Sequence, residues 1–129
     1  MFTTKDIQNI ISWFERIYNS DEELSDYERE TYLKLANAFM VGELFDKGTI
    51  LLQNYNEKHP EDLNALSLLV ETLIRGQKLD EAKKVCLELI KQDPSREISH
   101  IKFLDLLIYE GELKTAENYI QKIKNTQPK

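Results

Sequence analysis

The chain has 129 residues, enough for one domain with its own core, and a 41% hydrophobic and 31% charged content that excludes a disordered or collagen-like chain. Its formal net charge of -6 argues against a nucleic-acid partner, because such binding draws on basic side chains that displace counterions from phosphate, and it favours a basic or neutral protein partner. No apolar run is long enough for a membrane span, the lone cysteine (Cys86) forms no intramolecular disulfide, and Met1 to Asp6 carry no secretory signal, so the expected address is the cytoplasm.

Residues 3–19 read as an amphipathic helix. Thr3 and Asp6 are spaced as a capping box, and Ile7, Ile10, Ile11, Phe14, Ile17 and Tyr18 fall on one apolar stripe. That stripe has two available covers: the first unit of the structure that follows, or a groove or second subunit into which the helix swings. The acidic stretch from Ser20 to Asp26 reads as a solvated connector, with Ser20–Glu23 and Ser25–Glu28 both spaced as capping boxes.

From there on the chain is periodic. Pro60, Pro94 and Pro128 each lie 34 residues after the one before. The same step relates Leu35, Leu69 and Phe103; Phe39, Leu73 and Leu107; Phe45, Leu79 and Leu113; Leu52, Cys86 and Ile120; and Tyr55, Leu89 and Ile123, all of them apolar. Gly48, Ala82 and Ala116 form a small-residue set at that interval, which fits close approach of two helices. Apolar residues within each unit recur at helical spacing, so two helices per unit are expected, and the fold class is all-α. Gly42, Gly76 and Gly111 are expected to close the first helix of each unit in left-handed geometry. Each second helix is expected to stop before the repeat proline, and Ser95 to cap the helix that follows Pro94.

A helix-turn-helix unit of this length ending in proline resembles the tetratricopeptide repeat. The resemblance covers residues 29–128 and is best in the middle unit, at Leu66, Leu69, Leu73, Leu79-Asp80-Glu81-Ala82, Cys86, Leu89 and Asp93-Pro94. It implies a right-handed α-solenoid of three helix pairs (29–62, 63–96 and 97–129) behind an N-terminal capping helix and connector (1–28). It also implies a concave face lined by the first helix of each unit. The family's small residue in that helix is Ala36 in the first unit but Val70 and Leu104 later, a substitution that would splay neighbouring helices.

The chemistry of an enzyme is not visible. There is no Gly-rich phosphate loop, no nucleophile elbow and no His–carboxylate pair, and His59 and His100 stand in different units without other metal-ligating residues around them. His100 holds the place of Tyr32 and Leu66 and is expected to pack; Cys86 lies on an apolar helix face, where a thiol acts as a small hydrophobe. No cofactor or metal is expected. On the family's register the groove falls on Leu33, Asn37, Met40 and Val41, then Ser67, Glu71, Ile74 and Arg75, then Ile98, Ile101, Lys102, Asp105, Ile108 and Tyr109. Asn37 and Lys102 resemble positions of a carboxylate clamp, but Leu33, Leu68 and Ile98 stand where further Lys or Asn would be needed, so apolar anchors of a peptide suit the lining better. These features imply a protein-binding adaptor or chaperone. Small acidic chaperones of type III secretion resemble it in size, charge and layout. The competing class is an assembly subunit that dimerises through a terminal helix, since the outer face of a helix at residues 112–125 is expected to be partly bare, unless the chain is one fragment of a longer protein.

Overall fold

The computed structural model describes residues 3–19 and 25–126, with the side chains of residues 14–19 and 126 outside that description. The described residues form seven α-helices and no strand: α1 (Thr4–Asn19), α2 (Asp26–Val41), α3 (Phe45–Lys58), α4 (Leu63–Arg75), α5 (Leu79–Gln92), α6 (Glu97–Tyr109) and α7 (Leu113–Thr126). From α2 onward each helix packs against the next, and α2 also packs against α4. The starts of α3, α5 and α7 keep the interval of the prolines, as do those of α4 and α6. The first helix of the series, α2, begins earlier because Ser25 and Glu28 form a reciprocal capping box, with Glu28 N to Ser25 Oγ at 3.2 Å and Ser25 N to Glu28 Oε1 at 3.0 Å.

The N-terminus of α1 carries the expected Thr3–Asp6 box, with backbone-to-side-chain bonds of 3.0 and 3.1 Å. Its Ile7, Ile10 and Ile11 pack against the first core cluster, so this part of the stripe is covered by the chain itself. The expectations for Phe14, Ile17 and Tyr18, and for Ser20 with Glu23, lie outside the described residues.

Two expectations at helix ends are corrected. Left-handed backbone occurs at Glu43, Gln77 and Gly111, with φ of 64°, 64° and 77°, whereas Gly42 and Gly76 have φ of -80° and -82°. The strained place therefore keeps the same spacing as the prolines whatever residue fills it. The following N–H reaches back five residues at all three turns: Leu44 to Phe39 O (2.8 Å), Lys78 to Leu73 O (2.9 Å) and Glu112 to Leu107 O (2.8 Å). Gly76 serves a different need, because a Cβ there would sit 3.1 Å from Phe45 Cβ and 3.3 Å from Thr72 O. A left-handed residue other than glycine costs about 1 kcal/mol or more. Glu43→Gly and Gln77→Gly should therefore each raise the unfolding free energy by about 0.5–1 kcal/mol, after the greater chain entropy of glycine is subtracted. Urea unfolding followed by circular dichroism checks this, and an unchanged or lowered midpoint would contradict it.

The second correction concerns Ser95. The residue before α6 is Arg96, without a side-chain cap. Ser95 instead folds onto Asp93, its hydroxyl donating to Oδ1 at 2.6 Å and its N–H at 3.2 Å, a local turn that competes with capping. The helices do stop before the prolines, α3 at Lys58 and α5 at Gln92.

The buried residues fall in two clusters. Tyr32, Phe39, Leu51, Leu52, Tyr55, Ala65, Leu69, Leu73 and Leu106 belong to the first; Leu66, Val70, Cys86, Leu89, Phe103 and Leu107 belong to the second. The middle helix α4 is thus apolar on two sides, Ala65–Leu69–Leu73 towards one cluster and Leu66–Val70 towards the other. Gly48, Ala82 and Ala116 are all buried, consistent with close helix approach. Between α2, α3 and the start of α4, Asp62 Oδ2 accepts from the Tyr55 hydroxyl at 2.6 Å and from Arg29 Nη2 at 3.3 Å. Its Oδ1 caps α4 through Ala65 N at 3.2 Å.

Candidate functional site

Helix α6 is apolar on nearly every side. Phe103, Leu106 and Leu107 enter the core, yet Ile98, Ile101 and Ile108 are 48%, 49% and 55% exposed and Tyr109 is more open still. A helix that is hydrophobic all round is normally covered all round, so this uncovered side is the anomaly of the surface.

Beside it lies a cleft of about 370 Å³. Glu71 and Ile74 of α4 form one wall, Lys102, Asp105, Leu106 and Tyr109 of α6 the other, with Gln77 and Leu79 at one end. Lys102 Nζ spans the cleft to Glu71 Oε2 at 2.8 Å, and Arg75 Nε lies 3.4 Å from Glu71 Oε1. The hydrogen bond from Lys102 holds the Glu71 carboxyl below its usual value against the opposing effect of burial. Lys102 is therefore engaged inside the protein and is not presented as a free clamp for a visiting carboxylate.

Of the groove residues read from the sequence, Glu71, Ile74, Lys102, Asp105 and Tyr109 come together in this cleft, with Arg75 joined to it through Glu71. Ile98, Ile101 and Ile108 stand on the exposed side of α6, and Ser67 is half-buried on α4. The α2 part does not form an open wall. Asn37 and Val41 are exposed, but Leu33 packs on the first cluster and Met40 is buried at 5% exposure. The reason is that α2 is flanked by both α3 and α4, which leaves only part of its circumference free, and Met40 falls on the packed part. Met40 is thus corrected from a groove residue to a core residue. Gln77, Leu79 and Leu106 line the cleft without having been read as lining. Gln77 stands in a turn and gives no lining signal in the sequence, whereas Leu79 and Leu106 carry ordinary core signals.

The lone cysteine and the two histidines are built into packing. Cys86 is fully buried, its Sγ donates to Ser99 O at 3.2 Å, and burial pushes the thiol up to about 11, which removes thiolate character. His100 links three segments, with Nε2 2.7 Å from Pro94 O and Nδ1 2.6 Å from the Tyr119 hydroxyl. Because a carbonyl only accepts, Nε2 is the donor, and in that tautomer of the neutral ring Nδ1 accepts from Tyr119. His59 rests against the Tyr55 ring at 4.8 Å. Among the described residues no group of three or more His, Cys, Asp or Glu could hold a metal ion, and no helix is long and apolar enough to cross a membrane.

A second apolar surface lies on α7. Leu113 and Ile120 are exposed, although Leu52 and Cys86, at the place of Ile120 in the earlier units, are completely buried. In those units the following helix supplies the cover.

No protein-family model matches the chain, and no curated protein matches it in sequence.

Proposed function

We propose that the chain is a three-unit helical solenoid of tetratricopeptide type, working as a cytoplasmic adaptor or chaperone that holds an apolar segment of another protein against α6 and the α4–α6 cleft. The observation that carries this reading is the exposed row Ile98, Ile101, Ile108 and Tyr109 beside a cleft deep enough for an anchoring side chain. The repeat interval, the sequential packing of α2 to α7 and the added α2–α4 contact support the solenoid. Burial of the row would yield about 25 cal/mol per Å² removed from water, enough for a docking site when several such side chains are covered together.

The test is affinity capture from a native lysate with the full chain and with an Ile101→Asp/Ile108→Asp variant, read by mass spectrometry. The double variant should lose captured proteins by at least about tenfold, since a buried unpaired carboxylate costs several kcal/mol, while its circular dichroism stays that of the parent. Equal capture by the two proteins would refute the site.

The exposed Leu113 and Ile120 favour a second reading, an assembly subunit that joins copies through α7. Light scattering separates the two: a monomer at all concentrations opposes assembly, and a concentration-dependent dimer abolished by Ile120→Glu supports it.

A further inference from the structure

The α6 surface is not uniformly apolar. Asp105 lies one turn from both Ile101 and Ile108 on the same side of the helix, in the middle of the exposed row. Nearby positive charge is already assigned, because Lys102 and Arg75 both converge on Glu71 across the cleft, at 2.8 and 3.4 Å. Asp105 forms no hydrogen bond or ion pair among the described residues. Water satisfies that carboxylate while the surface is open. Any segment that covers the row strips the water away, and an uncompensated carboxylate under an apolar cover costs several kcal/mol, more than the burial of one isoleucine returns.

Resting on the docking reading above, we infer that the segment seated on α6 is amphipathic and carries a basic side chain between its apolar anchors, set to pair with Asp105. Arginine fits better than lysine, because its planar fork offers a carboxylate two parallel bonds and is less strongly hydrated. The chain's net charge of -6 draws a basic segment towards it over longer range as well. The occupant is thus a cationic, apolar stretch of a partner protein; a purely aliphatic segment and an acidic one are both disfavoured by the same carboxylate.

A random peptide library displayed on phage tests this, selected against three full-length baits: the parent chain, Asp105→Lys and Ile101→Asp. Circular dichroism first verifies that all three fold alike, as expected for changes at exposed positions. Peptides selected on the parent should carry Arg or Lys flanked by apolar residues and should bind Asp105→Lys at least about tenfold more weakly by fluorescence anisotropy. Selection on Asp105→Lys should instead enrich Asp or Glu at the same place. If peptides from the parent depend on Ile101 but show no basic residue and bind Asp105→Lys equally, the basic anchor is overturned while the docking surface stands. If no selected peptide depends on Ile101, both are overturned.

Discussion

Leu52→Ala should lower the unfolding free energy by about 3 kcal/mol, whereas Ile120→Ala should cost less than about 1 kcal/mol. The two residues hold the same place in the repeat, so side-chain chemistry and helix position are nearly matched and only the surroundings differ. Leu52 has no exposed surface, lying in the cluster built around Tyr32, Tyr55 and Leu69, and its removal leaves a cavity that close-packed neighbours fill incompletely. Ile120 is 40% exposed, so truncation there removes less buried area and the space opens to solvent. Urea unfolding of both variants at low protein concentration gives the comparison. Similar costs at the two positions would show that the α7 face is covered in solution by a second molecule, and would turn the balance towards the assembly reading.

Asp62→Ala should destabilise the fold by about 2–3 kcal/mol. The substitution removes the cap of α4, a loss of about 1 kcal/mol, and leaves the Tyr55 hydroxyl and the Arg29 guanidinium without their shared acceptor in a partly buried setting, a further 1–2 kcal/mol or so. The same carboxylate makes stability depend on acid. Burial disfavours its charge, but the hydrogen bonds from Tyr55 and Ala65 and the Arg29 charge outweigh that, holding the carboxyl below its ordinary value. With the native value depressed, the unfolded chain binds the proton first as pH falls. The stabilisation is therefore complete above about pH 4 and disappears as pH drops through the lower native value. Unfolding midpoints of the parent and the variant should converge below that range; a constant gap down to strongly acid pH would show that Asp62 acts through packing alone.

Most of the helical layout was legible because burial in this chain follows a fixed interval. The apolar sets at Leu69, Leu73, Cys86 and Leu89 are buried where the spacing places them, and the Thr3 and Ser25 boxes form as their residue types dictate. Turn geometry was less legible. Glycine usually marks left-handed backbone, yet here the bond pattern of the turn imposes it on Glu43 and Gln77, while Gly76 answers to the nearby Phe45. The groove was read by position along each first helix, and position alone does not say how many neighbours flank a helix. Hence Met40, Ile74 and Ile108, equivalent in the repeat, run from buried through half-buried to exposed. Pairing of Lys102 with Glu71 joins residues 31 apart in sequence, a distance at which helix spacing carries no information.

Because α4 belongs to both buried clusters, the molecule has a keystone in its middle and looser margins. Opening of α6 with α7 withdraws Phe103 and Leu107 from Leu66 and Val70 and takes Leu106 from the first cluster, but leaves that cluster its members from α2, α3 and α4, so that margin can fray without collapse of the whole. A visitor seated on α6 would grip this weaker margin and suppress its fraying, so occupancy would register as slowed amide exchange in α6 and α7 well before α4 responds.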